Sequence, residues 1–142
     1  MAARIRAFFH NATNTTPVAS VGTAFDKAKA KVHDLRLNAP LALSVSPFYG
    51  RVEGITVQVA AIAGGATTLT VRLCLDSDCD VSIVPDVTAT IAVGVTTATV
   101  GSIAISVGLP YFQTSGGNLY LVAKTDTGTV TLGDTAINWS ES

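Results

Sequence analysis

The chain has 142 residues, a formal net charge of −1, 48% hydrophobic residues and only 13% charged ones. That length suits one domain that buries roughly two thirds of its unfolded surface, and a charged content well under the usual ~25% leaves a surface of Thr, Ser, Ala and Gly, suited to contact. No run approaches the ~18 apolar residues of a membrane span, and the opening MAARIRAFFHNATN turns polar before a signal-peptide core forms, so neither a membrane span nor a signal peptide is expected.

The near-neutral total hides an asymmetry. Residues 1–51 hold seven Lys/Arg and two Asp/Glu, net +5, whereas residues 52–142 hold two and eight, net −6. A basic first part on an acidic body implies that it lies along a body, its own or a neighbour's, or along another acidic surface, unless it is simply a solvated charged face.

In chain order, residues 4–10 (RIRAFFH) read either as a short strand or as an arm that pins Phe8 and Phe9 into a partner. NATNTTP at 11–17 reads as a breaker, and its Asn11-Ala12-Thr13 and Asn14-Thr15-Thr16 triplets, which match the glycosylation acceptor pattern, mean little without export. VASVGTAF at 18–25 is a weak strand. In 26–38 Lys27, Lys29 and Lys31 alternate with Ala28, Ala30 and Val32 at strand period although Ala and Lys favour helix; extended is the expectation. LALSVS, between Pro40 and Pro47, is a short strand.

Gly54–Asp80 is the strongest stretch. Ile55, Val57, Val59, Ala61 and Ala63 share one face and Leu69, Val71, Leu73 and Leu75 another, while Thr56, Gln58, Thr68, Thr70 and Arg72 alternate with them. With Gly64-Gly65 between the runs, the pattern predicts a β-hairpin. Further strands follow at 81–84, 87–93, 97–100, 102–107, 118–124, 129–133 and 135–139, broken by Gly, Pro and Asp-Thr-Gly. Short strands at close spacing without a convincing helix predict an all-β, two-sheet β-sandwich, jelly-roll or Greek-key, over 41–142, with an extended N-terminal arm over 1–40.

No motif assembles catalysis. Asp76, Asp78 and Asp80 alternate as at the start of a calcium loop, but Val81 and Val87 stand where that loop needs Gly and Glu, which leaves an acidic, solvated turn. Cys74 and Cys79 flank the same turn, placed for a cross-strand disulfide; a chain without an export signal keeps them reduced, and their spacing fits no zinc pattern. His10 and His33, the two histidines, mark no triad and read as surface or interface residues. The isolated glycines cradle no phosphate, and no aromatics interleave Lys27, Lys29, Lys31 and Arg36 as nucleic-acid binding would require. Trp139, in an alternating strand, is expected to cap the core; with Tyr49, Tyr111, Phe112 and Tyr120 it is otherwise a sugar-stacking set, thin at 6% aromatic.

In the last third of the chain, Gly117–Thr131 (GNLYLVAKTDTGTVT), closing in Ala136-Ile137-Asn138-Trp139, resembles the final hairpin of small β-sandwich virion proteins of tailed bacteriophages, which include jelly-roll decoration (cement) proteins of the capsid. The resemblance implies a trimer on the outer shell at local threefold axes, an N-terminal arm gripping major capsid protein, and no catalytic residues.

The expected function is therefore non-enzymatic: a virion protein of the capsid surface, assembled in the host cytoplasm. Its partners would be the major capsid protein and itself, with no nucleic acid, membrane, small-molecule substrate, cofactor or metal. Arg4, Arg6, Phe8, Phe9, Phe25, Lys27, Lys29 and Lys31 are the expected partner-binding residues. A carbohydrate-binding module, or a head-fibre or tail component, is the alternative.

Overall fold

A computed structural model of the chain describes residues 9–16, 18–35, 48–83, 85–91, 101–105, 111–114 and 117–141. Ten strands run in order: β1 (Phe9–Asn14), β2 (Val18–Val21), β3 (Lys31–Asp34), β4 (Phe48–Ala63), β5 (Thr68–Cys74), β6 (Val87–Thr90), β7 (Gly101–Ile105), β8 (Tyr111–Thr114), β9 (Asn118–Thr125) and β10 (Thr129–Glu141). A 3-10 turn lies at Lys27–Lys29, and no helix among the described residues is long and apolar enough to cross a membrane. The expected strands at 41–46 and 97–100 lie outside the described residues.

One sheet has the order β1-β10-β4-β7, with β2 also on β10 and β8 also on β4; the other has the order β3-β9-β5-β6. The pairs β1 with β10, β3 with β9, β4 with β7 and β5 with β6 are all antiparallel and nest one inside the next along the chain. A ribbon of nested pairs wrapped into two facing sheets is a jelly roll. The expected all-β sandwich is the fold observed.

The predicted hairpin is corrected. The burial is as expected, with Ile55, Val57, Val59, Leu69, Val71 and Leu73 buried, although Ala61 and Leu75 are half-buried and Ala63 is exposed. The pairing is not: β4 bonds to β10, β7 and β8, and β5 to β9 and β6. The Gly64-Gly65 turn carries the chain from one sheet to the other. Alternation tells which side chains face the core, and two facing strands in opposite sheets alternate just as two paired strands do. The Asp126-Thr127-Gly128 turn does the same between β9 and β10, so the final hairpin is likewise a crossing. The two crossings touch: Gly64 (φ +71) and Gly128 (φ +63) have left-handed backbones, and a Cβ on Gly64 would fall 2.8 Å from the Gly128 Cα. Asp126 fastens one to the other by accepting from Thr67 N at 2.9 Å and Thr68 N at 3.1 Å.

β10 runs through the expected break at Asp134, between the strands expected at 129–133 and 135–139. The register slips between Leu132 and Thr135, so Gly133 and Asp134 bulge out while Leu132, Thr135, Ile137 and Trp139 all remain buried. Gln58 fills the bulge, its Oε1 accepting from Asp134 N at 3.1 Å; a side chain on Gly133 would meet that oxygen at 2.7 Å. A second slip beside Gly54 turns both Val52 and Ile55 inward. Trp139 is fully buried within the core and offers no stacking platform.

The boundary expected at residue 40 is also corrected. β1 pairs along Phe9–Asn14 with β10, β2 pairs with Val130 and Leu132, and β3 pairs with β9. Asn11 and Asn14, read as breakers, are strand residues, because the ladder of β10 supplies backbone partners that outweigh their weak β-propensity. Extended structure at 31–34 is as expected, but with Lys31 and His33 facing in and Val32 facing out. Only residues 1–8 remain for an arm, and they lie outside the described residues.

Because Leu73 is fully buried in the shared core, Leu73→Ala is expected to cost about 2–5 kcal/mol in denaturant unfolding; a loss below about half a kcal/mol would mean a surface position.

Candidate functional site

Each expected partner-binding residue has a definite place or lies outside the described region. Nothing describes Arg4, Arg6 or Phe8, and of Phe9 only the backbone is placed, in β1. Lys27 Nζ meets Asp78 Oδ1 at 3.1 Å on the surface, and that hydrogen bond and charge hold its ammonium above the usual lysine range. Lys29 Nζ donates to the Ser20 carbonyl. Lys31 is 2% exposed and donates to the carbonyl of Gly133 in the β10 bulge; burial pushes its pKa down, opposed by Asp134. These three lysines are thus engaged within the chain, and the buried Lys31 is not presented to a partner.

Phe25 is half-buried in a surface cleft of about 350 Å³ with Asp26, Lys27, Arg72, Asp78, Cys79 and Asp80. Arg72 lies over its ring at 4.2 Å and Lys124 Nζ at 4.9 Å, so the ring faces two cations. Arg72 is itself fixed by a bidentate pair to Asp86, both bonds 2.9 Å. That pairing raises the Arg72 pKa and lowers that of Asp86.

The acidic turn is organised by its first carboxylate. Asp76 accepts from Val81 N at 2.8 Å and Asp80 N at 3.1 Å, and these bonds lower its pKa. Its lone pairs thus hold the loop closed. Cys74 and Cys79 are free and buried, packed with Val122 apart from the main core.

His33 corrects the surface reading most sharply. It is fully buried, with Nδ1 2.9 Å from the Ala12 carbonyl of β1 and Nε2 2.9 Å from Thr135 Oγ1 of β10. A carbonyl only accepts, so Nδ1 carries the proton and the Thr135 hydroxyl donates to Nε2. Burial, with some repulsion from Lys31, lowers the His33 pKa to about 4 despite the Ala12 bond. The signal available in the sequence is parity: on strand period His33, expected at the surface or an interface, shares a face with Lys31, expected to bind a partner, and with the buried Leu35. The side chain of His10 lies outside the described residues.

On the outer face of the β1-β10-β4-β7 sheet, Thr13, Thr15, Thr56, Gln58, Asp134, Thr135 and Ala136 line an open groove of about 360 Å³. It went unforeseen because Thr13 and Thr15 sat in the supposed breaker and Asp134 in the supposed turn. Its hydroxyls, amide and carboxylate offer hydrogen bonds, with no aromatic wall. Among the described residues no group of three or more His, Cys, Asp or Glu is placed to hold a metal ion.

No family model and no curated protein matches the chain. Among solved structures, a family two carbohydrate esterase from Cellvibrio japonicus is similar at 11% identity and a TM-score of 0.33, over 96% of this chain and 35% of that one. The chain thus spans about a third of that esterase's length, and at that TM-score the likeness assigns nothing to it.

His33 sets a pH dependence. Its folded pKa, about 4, lies below the ordinary 6.5, so its contribution is intact above pH 6.5 and is lost as the pH falls through about 4, where the unfolded chain binds a proton that the fold resists. Its share of the loss is on the order of 3 kcal/mol. Comparing denaturant unfolding at pH 7 and pH 4 in the wild type and in His33→Gln isolates it: the variant is expected to show a smaller acid loss, and equal losses would refute the assignment. Calcium should leave Tm unchanged, since the Asp76 oxygens are taken by backbone N–H groups; a rise of several degrees would show a metal site.

Proposed function

We propose that the chain is a non-enzymatic structural virion protein, by preference a decoration protein that seats on the outer shell of a tailed-bacteriophage capsid as a homotrimer by binding major capsid protein. The observation that carries this reading is the jelly-roll strand order, an architecture shared by capsid and lectin domains. Fold alone assigns no function, so the surface matters as well. On the outer face of β5 and β6, Thr68 and Thr70 stand opposite Thr90 and Thr88, and the Thr70 and Thr88 hydroxyls are 2.8 Å apart. Such a face suits broad contact with protein. β6 ends its sheet among the described residues, and an uncovered edge favours assembly with another chain.

A carbohydrate-binding role is the second reading, favoured by the groove of Thr13, Thr15, Thr56, Gln58 and Asp134, whose donors and acceptors match sugar hydroxyls. It lacks the apolar platform that usually supplies much of a sugar's affinity.

Residues 1–8, with Arg4, Arg6 and Phe8, are the arm in this proposal. Deleting them leaves β1 whole, so the truncated protein is expected to keep its circular dichroism spectrum while losing attachment to particles. Full decoration by the truncated form would refute the arm. Light scattering should give a trimer and purified particles should carry the protein; a monomer that binds on a glycan array and is absent from particles would replace this reading with the second.

A further inference from the structure

Cys79 is the one described residue other than glycine with a positive φ, +59. A side chain in that conformation is strained and persists where the surroundings fix it. Here they do: Cys79 N donates to the Asp76 carbonyl at 3.1 Å, and the Asp76 carboxylate accepts from the N–H groups of Asp80 and Val81 just beyond. Leu75 N donates to Val81 O and Ile83 N to Leu73 O, so the corner is pinned on both sides. The result turns the Cys79 side chain inward, where it packs with Cys74 while its thiol points at the Ser77 carbonyl 3.9 Å away. The two sulfurs share a small buried cluster with Val122, backed by Phe25, Ala30 and Tyr120.

The two thiols are not equivalent. Cys79 is 5% exposed and lines the cleft of Phe25, Lys27 and Arg72, whereas Cys74 is fully buried beneath it. Burial raises the Cys79 pKa and the charges of Asp76 and Asp80 add to it, with the Cys74 thiol and Arg72 acting the other way; Cys79 is the first to react because it is the sulfur that the cleft reaches. The main core lies in a separate cluster, so a change of bonding at the corner leaves it in place.

We propose that Cys74 and Cys79 form a built dithiol that closes to an intramolecular disulfide by exchange with a small-molecule disulfide, Cys79 reacting first and Cys74 resolving. The Cys79 thiolate attacks one sulfur of the oxidant, forming a mixed disulfide and expelling the first small thiolate. The Cys74 thiolate then attacks the Cys79 sulfur, forming the Cys74–Cys79 bond and expelling the second. The protein loses two protons and two electrons, and the oxidant becomes two thiols. Burial keeps both thiols protonated at neutral pH, Cys74 up to about 12, so the dithiol is slow to close and oxidation waits for an oxidising environment.

The test uses the whole folded protein and oxidised glutathione as the probe. Expected is a monomer lighter by its two thiol hydrogens, whose fragments on cleavage at Asp76 or Asp78 stay joined until reduced. Closure should speed up as the pH is raised, by roughly tenfold per unit while the attacking thiol is mostly protonated. Cys74→Ser should stop at one glutathione adduct on Cys79, and Cys79→Ser should take up far less. Both thiols remaining free, both carrying glutathione without an internal bond, or a cross-linked dimer would each overturn the proposal, and the wild-type mass decides even if a serine variant fails to fold.

Discussion

The contact that everything else depends on is the apolar layer between the two sheets. β4 and β10 contribute Ile55, Val57, Val59, Val130, Leu132, Ile137 and Trp139, and β5 and β9 answer with Leu69, Val71, Leu73, Leu119, Leu121 and Ala123. These are the central strands of their sheets, buried on the inner face and hydrogen-bonded on both edges, so their burial fixes the register of strands added outside them. The order of the chain then forces the crossings. β4 leads into β5 and β9 into β10, so each link must step between layers, and the two links meet at Gly64 and Gly128, where a side chain on either would strike the other's backbone.

One long side of the sandwich closes by polar chemistry. β3 is an edge strand that turns Lys31 and His33 inward while leaving Val32 41% exposed, the reverse of an amphipathic strand. The reason lies across the gap. The bulge in β10 frees the Gly133 carbonyl and β1 presents the Ala12 carbonyl, acceptors that would be costly to bury without donors. Lys31 and His33 supply them, and Asn14 Nδ2 caps the Val32 carbonyl from outside. Inward charge and a capped edge also discourage pairing with a further strand there. A neutral His33 is needed for this seam, since burial disfavours its charged form.

The sequence was legible where period carries information and opaque where partnership does. Alternation in Gly54–Asp80 identifies six central core residues, because an apolar face has one physical use, and the close spacing of short strands gives the all-β class. Alternation could not say whether two such faces belong to paired strands or to opposed ones; the register of hydrogen bonds is a property of the whole fold. Polar strands were harder still. Asn11 to Asn14 belong to β1 through the ladder of β10, and Lys31 with His33 face inward because of the Gly133 carbonyl and the Thr135 hydroxyl, each 102 residues away in β10; neither fact leaves a trace in local composition. The aspartate-rich turn lacks the Gly and Glu of a calcium loop, and the structure adds that Asp76 closes the turn through backbone N–H groups.

The charge split has a related explanation. Lys27 pairs with Asp78, and Lys31 lies within the field of Asp134, so at these points basic residues of the first 51 meet acidic residues of the remainder inside one molecule. Charges consumed in this way do not steer a partner, and beside the Arg72–Asp86 pair the outer face of β5 and β6 offers a ladder of threonine hydroxyls. Contact through such faces gains from area and shape more than from attraction at a distance, and salt screens it little. Arg4 and Arg6 stand apart, in the segment ahead of β1. In the proposed reading the sandwich would supply the area of contact, and any ionic grip would come from the eight residues before β1.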